Sequence, residues 1–152
     1  MQRMTSVIDS RTAIRVSSTL NRDVKAYGKH FLTDGNDETC WNSDQGTPQY
    51  ISMDFSPRSV LVSELRIMFQ GGFAGKECKL VGVADHRRPE EEQWEDLLNF
   101  YPEDSNSLQV FPIKEGASKQ PWRKLRVIFL NSTDFYGRVT IYRLEVVGEA
   151  NG

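Results

Sequence analysis

Short segments in which apolar and polar residues alternate recur along most of this chain. In the segment from Gln49 to Phe55 the apolar side chains occupy every second position. Such a period of two is typical of a β-strand with one buried face. Other segments rich in Val, Ile, Leu, Phe or Tyr are Ala13–Ser18, Leu61–Phe69, Glu77–Ala84, Ser107–Ile113, Lys124–Leu130 and Val139–Val147. Because little helical sequence separates most of them, the pattern predicts a sandwich or barrel rather than a parallel sheet.

A polar loop precedes the strand predicted at Gln49–Phe55. Asp34, Gly35 and Asn36 suit a turn that needs positive φ or hydrogen bonds from side chain to backbone, and Thr39 and Trp41 follow at odd spacing. We expect this loop to fold back on itself and to be anchored by the indole of Trp41.

Length and charge restrict the possible functions. The 152 residues fit one domain with a sizeable core, and we expect the ends, residues 1–8 and 149–152, to fray. The formal charge of −2 argues against direct nucleic-acid binding, which needs a clustered excess of Lys and Arg. The sequence contains no apolar run that could span a bilayer and no signal-peptide core, so we expect the nucleus or the cytoplasm and no membrane partner.

No sequence motif indicates an enzyme. His30 and His86 lie in predicted loops with no nucleophile pattern around them, and a lone loop histidine is more often solvated than catalytic. Cys40 and Cys78 lack the spacing of a zinc site, so we expect two reduced, partly buried thiols.

Several motifs carry a resemblance to a known family. The pattern D-G-N-x-x-T-x-W followed by S-x-x-G-x-x-Q-x-I-x-x-D-F resembles the discoidin family, also called the coagulation factor five/eight C-type domain, of the galactose-binding-like fold. Further matching segments are Ser63–Gln70, Trp122–Phe129 and Ile141–Gly148. The resemblance covers nearly the whole chain and implies one discoidin-like jelly-roll β-sandwich of about eight antiparallel strands.

Other segments are similar to a small intracellular branch of this family that is associated with an orphan nuclear receptor. They are Val16–Arg22, Phe69–Phe73, Phe100–Leu108 and Thr133–Arg138. This similarity implies a non-enzymatic protein-interaction module whose partner is an orphan nuclear receptor. It also implies repression of transcription by hindering the receptor's access to its response element.

The segment Pro89–Tyr101 allows two interpretations. Its proline, three acids and apolar spacing favour a short helix by propensity. The family resemblance instead implies a charged loop over Asp85–Glu92 and a strand over Trp94–Phe100, which we prefer. In helical form, Trp94–Leu98 would match the short amphipathic helices that dock in receptor grooves.

The resemblance also raises the question of a calcium site, because many carbohydrate-binding members hold Ca²⁺ in the Asp-Gly-Asn turn. In this sequence the oxygen ligands would come from Phe31, Asp34, Asn36 and Thr39, and such ligands suit calcium. Those relatives complete the site with Glu on the last strand, where this chain has Arg143. A guanidinium cannot ligate a cation, so we expect no metal and predict an Asp34–Arg143 ion pair instead.

Ligand recognition in this family lies on loops at one end of the sandwich, which correspond here to Asn21–Lys29, the Asp34 turn and Gln70–Lys76. Tyr27 and Phe73 are the predicted aromatic tips, although either ring can instead have a structural role, as when Phe73 folds back over Phe69. The polar residues predicted beside them are Lys25, Lys29, Gln70 and Lys76. A carbohydrate-binding module and a membrane-binding module remain the alternatives to a protein-interaction module.

Overall fold

Ten β-strands in two layers form the computed structural model of this chain, which describes residues 5–151. The strands are β1 (Thr5–Ser6), β2 (Ala13–Val16), β3 (Trp41–Asn42), β4 (Gln49–Asp54), β5 (Ser59–Phe69), β6 (Cys78–Ala84), β7 (Trp94–Phe100), β8 (Leu108–Pro112), β9 (Trp122–Phe129) and β10 (Thr140–Asn151). The helices are α1 (Val24–Tyr27), α2 (Glu115–Ser118) and the 3-10 turns Leu20–Arg22, Lys29–Leu32 and Pro89–Glu91.

Antiparallel pairing assigns each strand to a layer. In the first layer β10 pairs with β1, β3 and β5, and β5 pairs with β8. In the second layer the order is β2, β4, β9, β6 and β7. Between the named strands of the described residues, one residue pair, Val60 with Trp122, joins the two layers. The predicted all-β discoidin-like sandwich is confirmed.

The core lies between the layers and follows the alternation seen in the sequence. Buried and half-buried residues alternate along β4 and β9, so each strand turns one face inward. The fully buried core residues include, from both layers, Ile51, Met53, Leu65, Ile67, Leu80, Leu125, Val127, Phe129 and Ile141.

The segment Trp94–Phe100 is a strand, as preferred from the family resemblance. It pairs along β6 from Cys78 to Val83, which buries Leu97 in the core with 4% of its surface exposed. The helical propensity is satisfied only by the short turn Pro89–Glu91. The receptor-groove hypothesis for Trp94–Leu98 is therefore wrong in this fold, because a buried Leu97 is not available to a partner.

Strand pairing includes described residues near both ends of the chain. Thr5 and Ser6 pair with Gly148 and Val147, and Val7 is buried. Residues 149–151 continue β10 along β5, because both strands extend to this point and complete each other's backbone hydrogen bonds. Residues 1–4 and 152 lie outside the described part.

Both cysteines are free thiols, Cys40 half-buried and Cys78 buried. Burial raises the pKa of both thiols, so neither resembles a reactive cysteine. Across residues 5–151 we find no helix that combines the length and the apolar character needed to cross a membrane.

Candidate functional site

Four loops meet at one end of the sandwich, and we call residues 43–48, 70–77, 101–107 and 130–139 the rim. The backbone amides of Gly71 and Gly72 donate to the side chains of Asn106 and Asp104, at 2.6 and 2.7 Å. Lys76 N donates to the carbonyl of Asn131, Ala74 N to Thr133 Oγ1, and Gly46 N to the carbonyl of Tyr136. These bonds make the rim a single connected surface rather than four independent loops.

The rim carries the most exposed aromatic side chains of the described residues. Phe135 is 93% exposed, Tyr101 is 70% exposed and Tyr136 is 56% exposed. The rings of Phe135 and Tyr136 meet edge to face with centroids 5.3 Å apart. A large ring that is almost fully solvated contributes nothing to the core, so its surface is available to a partner.

A tight turn holds this aromatic pair in place. Gly137 adopts φ 82°, and a Cβ there would lie 2.9 Å from the carbonyl oxygen of Gly46, so only glycine fits. The carboxylate of Asp134 accepts from the backbone N and Nε of Arg138 at 3.0 and 2.9 Å. These hydrogen bonds from Arg138 lower the pKa of Asp134. The turn therefore presents Phe135 and Tyr136 from an ordered backbone.

Arg138 also connects two rim loops. Its guanidinium lies 5.1 Å from the ring centroid of Phe73 and 5.8 Å from that of Tyr136. Phe73 is half-buried beneath this cation. The ring predicted as a free tip thus contributes to the floor of the rim, while the next loop supplies the tips.

The other predicted ligand residues are spread over two regions. Gln70 and Lys76 lie on the rim, where Gln70 Oε1 accepts a hydrogen bond from the hydroxyl of Tyr142. Lys25 and Tyr27 lie on α1, with Lys25 exposed and Tyr27 half-buried. Lys29 follows α1 and donates from Nζ to the carbonyl of Ile14 on β2.

This second group belongs to a stretch of short helical turns rather than to an open loop. The turn Lys29–Leu32 packs against β2, β3 and β10, and Leu32 is buried. These contacts hold the turn against strands of both layers.

The Asp34 turn closes through its own side chains. Asp34 accepts from the backbone N of Asn36 and from Thr39 Oγ1, at 3.0 and 2.6 Å, and Gly35 has φ 75°. Partial burial acts to raise the pKa of Asp34, but the hydrogen bonds from Thr39 and Asn36 outweigh it and the pKa is lowered.

The predicted Asp34–Arg143 ion pair is wrong. Arg143 Nη2 instead contacts Asp37 Oδ1 at 2.7 Å, and its Nη1 lies 3.6 Å from Glu145. Asp34 is directed into its own turn, where both carboxylate oxygens already accept hydrogen bonds. Within the described range, no three His, Cys, Asp or Glu side chains are grouped as a metal site would require.

Trp41 links this region to the rim. Its side chain is fully buried, and its Nε1 donates to the carbonyl of Ser18 at 3.0 Å. Ser18 Oγ in turn accepts from the backbone N of Asp44 and donates to Gln49 Oε1. The indole thereby fixes the first loop of the rim.

The sequence did not point to the rim aromatics as site residues. Phe135 and Tyr136 stand together between Asp134 and Gly137, a composition that suits a turn and gives the rings no strand partner. Two adjacent aromatic residues inside a turn signature are the signal that could have identified them.

Comparisons with known proteins separate the relatives of this chain from its structural neighbours. No family model matches the chain. The protein "Nuclear receptor 2C2-associated protein" of Danio rerio is 53% identical over 144 residues, which cover 95% of this chain and 96% of that protein. The Homo sapiens protein of the same name is 44% identical over 144 residues with the same coverage.

Solved structures of low sequence identity share the fold. The C-terminal domain of a chitobiase from Bacteroides fragilis has a TM-score of 0.75 at 18% identity, covering 97% of this chain and 99% of that domain. The family 32 CBM from C. perfringens NanJ, in complex with galactose, has a TM-score of 0.72 at 15% identity, covering 95% of this chain and 99% of that module.

Proposed function

Since this chain belongs to the nuclear receptor 2C2-associated protein family, we propose that it is a non-enzymatic protein-interaction module that binds a nuclear receptor through the rim. The names of its relatives support a receptor-associated role. The observation that carries the choice of surface is the exposed Phe135, held beside Tyr136 by an ordered turn.

Physical reasons favour this surface for a protein partner. Aromatic side chains supply large contact area with few rotatable bonds, so they lose little conformational entropy on binding and are frequent hot spots. The turn is already closed by Asp134 and Gly137, so a partner does not have to order it. Preorganisation of this kind increases affinity.

We propose further that binding lowers receptor-driven transcription by hindering the receptor's access to its response element, and that the protein is present in the nucleus, the cytoplasm or both. The formal charge of −2 favours interference through protein contact over competition for DNA. A mobility-shift experiment with receptor and response element tests this. Loss of the receptor–DNA complex as the protein is added is expected, and an unchanged or supershifted complex contradicts it.

The docking surface is tested with purified nuclear receptor 2C2 and a Phe135→Ala, Tyr136→Ala variant. We expect its affinity to fall at least about tenfold, since aromatic hot spots typically contribute more than about 1.4 kcal/mol. Val110→Ala is the matched control, because Val110 is an exposed apolar residue on β8. A Phe73→Ala, Tyr27→Ala variant tests the surface predicted from sequence. Equal affinity of the rim variant and the wild type would refute the rim as the docking surface.

A carbohydrate-binding function is the second candidate. The exposed pair Phe135 and Tyr136 borders a shallow cleft with Thr47 and Asn131, and a flat ring beside polar groups is also how sugars are held. A glycan array probed with the wild type and with the rim variant separates the two functions. Glycan binding that needs Phe135, without receptor binding, would favour the carbohydrate function.

A further inference from the structure

A second surface feature lies on the outer face of the second layer. A cleft of about 340 Å³ crosses β2, β4 and β9 and reaches Trp94 on β7, and its lining includes Arg15, Tyr50, Ser52 and Arg126. On β4, Tyr50 and Ser52 alternate with buried core residues, so the cleft faces away from the core. The cleft shares no residue with the rim.

Arg126 is held rigidly in the centre of this cleft. Its guanidinium carbon lies 4.7 Å from the ring centroid of Tyr50 and 4.4 Å from that of Trp94. Its Nε donates to Ser52 Oγ at 2.6 Å. Among residues 5–151 its two Nη groups have neither a hydrogen-bond acceptor nor a carboxylate partner. Two aromatic contacts and one hydrogen bond therefore fix the orientation of the guanidinium and leave the N–H donors of its two Nη groups free.

A second unpaired arginine is in register with the first. Arg15 on β2 pairs with Ser52 on β4, and Ser52 pairs with Arg126 on β9. Side chains in such a row lie on the same face, and two strand spacings place the two Cα atoms about 10 Å apart. Arg15 likewise has no carboxylate partner within the part of the chain that the structure describes. Long arginine side chains at this separation can reach one group between them.

We propose that this cleft binds the phosphoryl group of a phosphorylated peptide. A guanidinium edge forms paired hydrogen bonds to oxyanions, and two of them match the three terminal oxygens and the charge of about −1.5 to −2 of a phosphate monoester. A carboxylate has two oxygens, which one guanidinium already satisfies. The hydroxyl of Tyr50 makes no hydrogen bond among the described residues and supplies a further donor.

The acidic residues around the cleft favour a peptide over a membrane headgroup. Glu92 is neutralised by Lys124, whose Nζ lies 2.8 Å from Glu92 Oε2. Asp54 lines the same cleft without a cationic partner in the described range. An unpaired carboxylate repels the continuous negative charge of an anionic bilayer, whereas a peptide presents one phosphate locally. The peptide as the source of the phosphate rests on the proposed protein-interaction function.

Peptide libraries with one fixed phosphoserine, phosphothreonine or phosphotyrosine, each beside its unphosphorylated counterpart, test the proposal. We expect phosphate-dependent binding of the full chain to at least one library. Arg15→Gln and Arg126→Lys should each reduce this binding about tenfold or more. Gln removes both the charge and the guanidinium, whereas Lys keeps the charge but loses the paired donors of the guanidinium. Lys114→Gln is the control, since it removes one exposed charge that has no ion pair among residues 5–151. Circular dichroism checks that each variant is folded, and Arg15 is exposed enough for its variant to remain so.

Further measurements identify the source of the phosphate and distinguish failure of the cleft proposal from failure of the proposed receptor-binding function. Inorganic phosphate should compete with the peptide only at much higher concentration. Arg15-dependent binding to vesicles containing phosphoinositides, without peptide binding, would overturn the peptide assignment. Absence of phosphate-dependent binding to every library would overturn the cleft proposal. If no library is bound but purified receptor still binds the Arg15→Gln variant through the rim, the cleft proposal fails and the proposed function stands.

Discussion

The indole of Trp41 connects the core to the rim, and replacing Trp41 with Phe tests this connection. The substitution keeps an aromatic ring in the core but removes the Nε1 donor to the carbonyl of Ser18. It also leaves a void where the larger ring was, because Trp41 is completely buried.

The expected cost has three parts. The smaller ring loses roughly 1 kcal/mol of transfer free energy at about 25 cal/mol per Å². A residual void of roughly 40 Å³ costs about 1 kcal/mol more at 24 cal/mol per Å³. The unpaired carbonyl of Ser18 adds about 1 kcal/mol. Together these predict a loss of about 3 kcal/mol in the free energy of unfolding and a fall in Tm of about 6 to 12 °C.

Trp122 provides a matched control, because it is a buried tryptophan that lies far from the rim. It is also buried, and its Nε1 donates to the carbonyl of Ala117 at 3.0 Å. It lies at the end of β9 opposite to the rim, where it pairs with Ala84. Trp122→Phe should therefore cost a similar free energy of unfolding without disturbing the rim.

Urea denaturation and amide hydrogen exchange measure the two effects. The amide of Asp44 donates to Ser18 Oγ, so its exchange should accelerate in Trp41→Phe and stay unchanged in Trp122→Phe. A loss below about 1 kcal/mol for Trp41→Phe, or equal Asp44 exchange in both variants, would refute the reasoning, given that mutational energies vary by two- to threefold.

Three further predictions concern charges. Millimolar Ca²⁺ should leave Tm unchanged, because Arg143, paired with Asp37, places a positive charge beside the Asp34 turn. A calcium ion present at 100 times its Kd would raise the free energy of unfolding by about 2.7 kcal/mol, which thermal unfolding would detect as a higher Tm. Asp37→Ala should lower the free energy of unfolding in urea by less than about 1 kcal/mol, since the side chains of Arg143 and Asp37 are 31% and 48% exposed. Asp34→Ala should lower it by about 1 to 2 kcal/mol, because the turn loses the hydrogen bonds that Asp34 accepts. A larger loss for Asp37→Ala than for Asp34→Ala would contradict this reasoning. Hydrogen bonds from Arg138 lower the pKa of Asp134 below its ordinary value of 3.8. The carboxylate therefore contributes its full stabilisation above about pH 3.8 and loses it as the pH falls through the lower pKa of the folded state. From about pH 6 to pH 2, the free energy of unfolding should fall less steeply in Asp134→Asn than in the wild type, and parallel curves would contradict this.

The sandwich was predictable because its determinants are local. A period of two records which side of a strand is buried, and this period is present in β4 and β9. The short strands β1 and β3 were missed because two residues carry no period. The segment Trp94–Phe100 shows the opposite case, since its local helical propensity is overridden by pairing with β6.

The candidate sites were less predictable because they depend on contacts between distant parts of the chain. Phe135 is exposed because its turn packs Gly137 against Gly46, about ninety residues away in sequence. Arg143 pairs with Asp37 rather than Asp34 because hydrogen bonds within the turn use both carboxylate oxygens of Asp34, which depends on side-chain direction and not on spacing. The family resemblance placed Arg143 near this turn but could not choose between two acids three residues apart.

The two proposed surfaces differ in how they are built, and this difference bears on how they can be tested. Phe135 projects from the rim and contributes little to stability, so its removal reports on binding almost alone. Arg126 is packed between Tyr50 and Trp94, and its removal also changes the packing of these two rings on β4 and β7. Arg15 avoids this ambiguity because it lies exposed on the edge strand β2. Loss of phosphopeptide binding in Arg15→Gln at unchanged stability is therefore stronger evidence for the cleft than the same loss in any Arg126 variant.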